Sequence, residues 1–252
     1  MIYGLYLSAS GVLTSSYRQD VIANNIANSE TVGFKKDLAM LQQRPTAAQE
    51  LGKWNQTDPK LEPIGGGLLA ARSQVDISPG GIEPTGNNFD VALQGAGYLA
   101  VSSQGKMHLT RNGQMMLDRS SRLVMSSNPA QAVLDDKQQP IVLDSTAPTT
   151  FSVDGTITQN GKTVANLGLF NVSDQSQLTK EGGTLLGIPD GQKLSTAQPE
   201  VHSGFIERSN VDPSTELTEL MATQRQLEAN ANMIHIQDET LDKLVNDVGR
   251  IG

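Results

Sequence analysis

The 252-residue sequence has no cysteine, which removes disulfides, thiolate nucleophiles and cysteine metal sites together. It has one tryptophan and 4% aromatic residues, so a core is within reach but a lean one. Apolar residues reach only 37% while glycine numbers 24, a balance that favours many turns and thin layers. No apolar run approaches the roughly 20 residues that a membrane-crossing helix needs, so membrane insertion is not expected. The formal charge is -8 and no basic cluster is present, which argues against nucleic acid and against an anionic membrane surface. Residues 2–13 are moderately apolar, but no basic residue precedes Arg18, and Gly and Ser dilute the segment. It is read as part of the mature chain rather than as a cleaved signal.

Constellations that carry chemistry are equally scarce. Of the three histidines, His108 falls in a β run, His202 in a turn-rich region and His235 on a helix near Asp238 and Glu239. Residues three or four apart on a helix merely share a face, and two or three isolated ligands do not define a metal site. Gly65-Gly66-Gly67 lacks the Gly-Lys-Ser/Thr ending of a phosphate loop. Asn55 and Asn171 open short glycosylation patterns of the kind that match by chance, and Asp135-Asp136 reads as a turn. The expectation is no catalytic residue, no metal and no cofactor.

What the sequence does contain is two periodic segments at opposite ends. Residues 2–28 carry apolar and small positions spaced alternately by three and four: Leu5, Ala9, Val12, then Ala23 and Ile26 after a polar interruption at Ser16 and Gln19. This is the seam of a heptad. Gly4 and Gly11 each lower helicity by about 1 kcal/mol against Ala, so this helix is marginal alone. It should stop near Asn28 or Ser29, because Asn24, Asn25 and Asn28 suit helix ends, with Gly33 as the turn residue before an extended exit. At the other end, Asp212 is placed to cap a helix whose first residue is Pro213, and Glu216 and Glu219 favour its positive end. Leu217, Leu220, Leu227, Ala231, Ile234, Leu241 and Val245 continue the three-four alternation, broken at Gln224 and Asp238. Roughly 35 residues at 1.5 Å each give a rod about 50 Å long.

Between the ends, residues 37–88 lose periodicity under repeated Pro and Gly and read as an extended, turn-rich connector. Residues 89–205 read as a β domain. Short apolar runs at 89–93, 98–101, 107–110, 115–117, 122–125 and 167–172 are separated by turn residues, with Asn112-Gly113, Asp154-Gly155 and Asn160-Gly161 as hairpin signals. The organisation is therefore 1–36 helix and turn, 37–88 connector, 89–205 β domain and 206–252 helix. The predicted fold class is α+β: N- and C-terminal helices paired in a coiled-coil stalk, with an inserted, mostly antiparallel β domain. Met221, Met233 and Leu244 lie off the seam, and their apolar surface requires packing against other chains. Asn24 and Asn28, four apart, project to the face opposite Ala23 and Ile26, toward water or a neighbouring subunit.

Ala23-Asn24-Asn25-Ile26-Ala27-Asn28 followed by Thr31-Val32-Gly33-Phe34-Lys35 resembles the N-terminal signature of bacterial flagellar rod and hook proteins, the axial family. Ser209-Asn210-Val211-Asp212 and the helix through Met221, Gln224, Arg225, Glu228, Ala229 and Asn230 look like that family's second signature. Residues 90–98 and Leu109-Thr110-Arg111-Asn112-Gly113 resemble the β-domain motifs of proximal and distal rod proteins. The chain departs from the pattern at Leu227 and at Tyr98-Leu99, where the family often carries further aromatics.

The resemblance implies a structural subunit of the basal-body rod. Such a subunit polymerises through its terminal helices into the drive shaft that transmits torque from motor to hook. Its partners would be copies of itself, other rod and hook subunits and the flagellar export apparatus, in a periplasm-spanning rod reached without a cleaved signal. The assembly motif would be Asn24, Asn25, Asn28, Thr31, Gly33, Phe34 and Lys35, and the C-terminal motif Asn210, Val211 and Asp212. The alternatives are another axial component, such as a hook or hook-junction protein, and, more remotely, an enzyme or ligand-binding protein built on the β domain.

Overall fold

The computed structural model describes residues 2–45, 66–189 and 191–248. Two helices and a set of antiparallel sheets make an α+β chain. It divides into two compact units: residues 2–26, 37–45, 66–73 and 212–248 form the first, and 27–36, 74–189 and 191–211 the second. Pro59, Pro63 and Gly65 of the expected connector, the Asn55 glycosylation pattern, and Gly249 and Gly252 lie outside the described residues.

In the first unit, α1 (Ile2–Ala27) and α2 (Pro213–Val248) lie side by side in opposite directions. Gly4 sits against the amide of Gln237, Gly11 against that of Asn230, and Asn25 bonds to Glu216. The contact rows follow the three-four rhythm but are lined with small and polar residues. On α1, Ser8, Ser15 and Ile22 are buried and continue the row of Gly4, Gly11 and Asn25. On α2, Glu216 and Thr223 are buried, and Leu220, Leu227, Ile234 and Leu241 are half-buried on the same row. Each helical glycine thus has a local reason. A Cβ at Gly11 would fall 2.6 Å from the Asn230 Nδ2, so the residue that weakens the isolated helix also admits its partner's side chain.

The start of α2 is fixed by Asp212, whose carboxylate accepts from the Ser214 backbone N–H at 3.0 Å and from the Thr215 hydroxyl at 2.8 Å. Strands Leu41–Gln43 and Leu68–Ala70 form an exposed two-stranded ribbon in the same unit. Tyr17 on α1 donates to the backbone carbonyl of Ala71, just past that ribbon, at 2.9 Å.

The second unit is β structure. Its nine-stranded antiparallel sheet runs Thr179–Lys180, Leu185–Gly187, Lys106–Thr110, Tyr98–Ser103, Asn128–Val133, Leu123–Met125, Met115–Leu117. Leu169–Val172 also pairs with Tyr98–Ser103, and Leu194–Thr196 with Leu169–Val172. Side chains alternate along the central strand Tyr98–Ser103. Leu99 and Val101 enter a core with Val91, Leu123, Phe151 and Ile157, whereas Tyr98 and Ala100 enter a second with Leu109, Phe170 and Leu186. Burial on both faces explains why this strand reads as a continuous apolar run.

Thr149–Phe151, Thr156–Gln159 and Lys162–Asn166 form a separate meander. Its turns carry Gly155 at φ 84° and the Asn160-Gly161 pair at φ 51° and 74°, as hairpins require. Asn112-Gly113, in contrast, is not a hairpin turn. A Cβ at Gly113 would fall 1.6 Å from the Val91 carbonyl oxygen, so glycine is required there for close backbone approach.

Candidate assembly site

In the first unit, α1 ends on a side chain that acts as backbone. Asn25 is 1% exposed; its Oδ1 accepts from the Asp37 N–H and its Nδ2 donates to the Asp37 carbonyl, both at 2.9 Å. The pair of bonds imitates a β bridge, so the chain leaving the turn is tied to the helix it came from. The same Nδ2 lies 3.3 Å from the buried Glu216 carboxylate on α2. One amide therefore joins α1, its exit strand and α2.

The second unit contains the remainder of the turn. Asn28 accepts from the Thr31 N–H at 3.1 Å through its carbonyl and from the Thr31 hydroxyl at 3.2 Å through Oδ1. Gly33 follows at φ 68° and donates its N–H to the Glu207 carbonyl at 2.7 Å. A Cβ there would lie 2.2 Å from the Asn112 backbone nitrogen, so both conformation and space demand glycine. Phe34 is 1% exposed and lies beneath the Lys180 ammonium, 3.5 Å from its ring centroid.

Beyond it lies a buried charge cluster. Lys35 donates to the Glu207 Oε1 and, at 2.8 Å, to the Ser78 carbonyl. Arg111 reaches the other Glu207 oxygen at 3.1 Å and the carbonyls of Leu93 at 3.0 Å and Gly95 at 2.6 Å, with Tyr98 stacked 5.2 Å from its guanidinium. The Gly80 N–H completes the carboxylate's shell at 3.0 Å. Burial pushes the Lys35 ammonium below the ordinary lysine range, and the Glu207 charge and hydrogen bond oppose that shift. Burial raises the Tyr98 phenol. Two cations around one carboxylate form a lock.

Asn210 closes the cluster from the C-terminal side. Its Oδ1 accepts from the Lys36 N–H at 2.7 Å, and its Nδ2 donates to the Asp76 carbonyl and the Ser78 hydroxyl. Val211 is buried beside it in sequence. Glu207 and Arg111 are the residues that sequence reasoning passed over as partners. Phe205-Ile206-Glu207 offers only a lone acid at a strand end, and nothing local says that it is buried.

The structure gathers Gly33, Phe34, Lys35 and Asn210 in the second unit and leaves Asn24 exposed and Asn28 half-buried. Of the expected seam, Leu5, Ala9, Val12 and Ile26 are half-buried and Ala23 is exposed. Leu220, Leu227, Ile234 and Leu241 are half-buried on the row facing α1, while Leu217, Ala231 and Val245 stand exposed. His108 meets Glu181 at 3.0 Å and His235 stands 4.0 Å from Glu239. No group of three or more metal-capable side chains occurs among the described residues.

The segments that supply these contacts are shared with known proteins. Residues 5–35 match the family described as "Flagella basal body rod protein", and residues 202–247 match "Flagellar basal body rod FlgEFG protein C-terminal". Over 250 residues, 98% of each chain, the sequence is 30% identical to the flagellar basal-body rod protein FlgF of Caulobacter vibrioides. The chain belongs to the flagellar basal-body rod protein family. It is also 31% identical over 279 residues to the rod protein FlgG of Bacillus subtilis, covering 98% of this chain and 99% of the other, and 27% identical to FlgF of Mesorhizobium japonicum over 97% of both. Its role is that of a structural subunit of the basal-body rod, and a hook-type subunit is not favoured. Lys35 and Glu207 fall one in each matched segment of this rod protein, so the lock joins the two segments by which the family is recognised.

Proposed function

We propose that this rod subunit assembles through its terminal helices, which pair as a coiled-coil stalk and pack against the stalks of copies of itself and of other axial subunits. The observation that carries this reading is the distribution of side chains on α2. The row facing α1 is half polar, while Met221, Met233 and Ile236 project elsewhere and are 57%, 48% and 58% exposed. An apolar surface of this kind on a helix with a polar partner row is surface for another chain. The polar row and the helical glycines also favour ordering of the stalk on assembly rather than before it.

The same reading includes passage through the flagellar export apparatus, a periplasm-spanning position and transmission of torque through many staggered helix contacts, and membership of the rod family supports it. Asn24 and Asn28 belong to the assembly motif by this reading, facing water or a neighbour. No catalytic role is assigned to Lys35, Arg111 or Glu207, which are engaged with one another in the lock.

The test is Ile236→Asp together with Met221→Asp. Incorporation into basal bodies and swimming are expected to be lost, while the β unit keeps its unfolding transition. Normal incorporation would contradict assembly through this helix face.

A further inference from the structure

The first unit contains a groove of about 420 Å³ between α1 and α2, lined by Gln19, Asp20 and Ala23 on one side and Leu220, Gln224, Leu227 and Glu228 on the other. Its chemistry is one-sided. Ala23, Leu220 and Leu227 supply an apolar floor, and Asp20 and Glu228 place one exposed carboxylate on each helix. Gln224 donates one Nε2 hydrogen to the Glu228 Oε1 at 3.2 Å, and its Oε1 remains an acceptor. Neither Asp20 nor Glu228 has an ion-pair partner among the described residues. The groove therefore presents acceptors above an aliphatic floor. A flexible stem ending in several N–H donors satisfies both at once.

The charge around it narrows the source of that side chain. α2 carries seven carboxylates against two cations, Arg225 and Lys243, and α1 carries one of each sign, Arg18 and Asp20. A second copy would bring the same excess of negative charge to the contact, and like fields oppose close packing. We propose that the groove is a socket for an arginine or lysine side chain from a different axial subunit whose terminal helix carries a net positive face. This rests on the assembly reading above and names the chemistry of its neighbour.

The experiment introduces Asp20→Lys with Glu228→Lys in the full chain expressed in its own cells, with Asp238→Lys and Glu239→Lys as an equally large charge change elsewhere on α2. The content of the chain in purified basal bodies is then measured. The groove pair should lower it at least tenfold, and the control pair should leave it within about twofold. Asp20→Asn with Glu228→Gln, which keeps shape, should give an intermediate loss. Suppressors selected for restored swimming should convert an arginine or lysine to an acid in another axial protein.

Unchanged incorporation of both groove variants overturns the socket. An equal loss from the control pair overturns it as well, because the effect would then belong to overall charge. Suppression by Arg18→Glu, Arg225→Glu or Lys243→Glu in this chain overturns the different-subunit assignment in favour of a second copy. If the Ile236→Asp, Met221→Asp variant incorporates normally, the assembly reading itself fails. That result is separable from any result at the groove.

Discussion

Lys35 donates to the Glu207 carboxylate at a place where the two side chains are 2% and 1% exposed, although 172 positions separate them in the chain. Arg111 on the carboxylate's other oxygen makes this a triad, and each member comes from a different stretch of the second unit. Such a cluster adds little net stability against an apolar replacement, but it is costly to break at the shared carboxylate, whose loss strands two cations in a dry site.

Glu207→Ala should therefore destabilise the second unit by about 3 to 5 kcal/mol, since two buried cations lose their counter-charge. Lys35→Met should cost less, because Arg111 still neutralises Glu207. Urea unfolding of the full chains, followed by a probe in the β unit, ranks the two; the reverse order would contradict the triad's arrangement.

Gly33 meets two demands, and the variants separate them. Gly33→Ala suffers the left-handed backbone penalty of about 1 to 2 kcal/mol and a contact with the Asn112 backbone. Gly33→Asn relieves only the first, because asparagine tolerates that conformation. Close approach predicts that both variants lose stability and that Asn rescues little. Full rescue by Asn would mean that conformation alone selects glycine.

Asn25 is the third point of failure. Asn25→Ala removes the side-chain partner of the Asp37 N–H and carbonyl, at about 0.5 to 1.5 kcal/mol for each hydrogen bond lost from this part-buried site. Asn25→Asp also sets a second carboxylate beside Glu216, so it should be worse near neutral pH. The retention of each variant in purified basal bodies under rising urea reports both effects. Equal retention of all three chains would sink the clamp.

The acid limb of stability should come from turns in the second unit. Asp118, Asp144, Asp154 and Asp174 accept hydrogen bonds from residues two to four ahead of them, and these hold each carboxyl below its ordinary value. For Asp118 the Arg122 backbone N–H is the largest cause. A carboxyl depressed in the folded state contributes stability that is present above its unfolded pKa of about 3.9 and is lost as pH falls through the folded value. The unfolding midpoint should thus be level from pH 5 to 7 with respect to these groups and fall below about pH 4. Replacing all four by Asn should flatten that fall; an unaltered acid limb would assign it to other groups.

Much of the architecture was legible from the sequence for local reasons. Asp212-Pro213 begins α2 because a side-chain cap and a preset φ act within one turn. Asn160-Gly161 makes a hairpin because both residues accept positive φ. What escaped was long-range partnership. Glu207 reads as a surface acid until Lys35 and Arg111 are seen around it, and Asn112-Gly113 imitates a turn signal while serving close approach to Val91. On α1 the row was legible as a period but not as a phase. Gly4 and Gly11 looked like flaws in a seam through Leu5 and Val12, whereas in the structure they admit Gln237 and Asn230 from α2.

The central claim is that α1 and α2 form the part of this chain that packs into the rod. A single-particle reconstruction of wild-type basal bodies tests it most directly. The account predicts helical density at the rod axis into which the antiparallel pair fits with Gly11 beside Asn230, and with Met221 and Ile236 covered by neighbouring helices. Rod density in which the β unit lines the axis, or in which the Met221 and Ile236 face stands open to solvent, would contradict it.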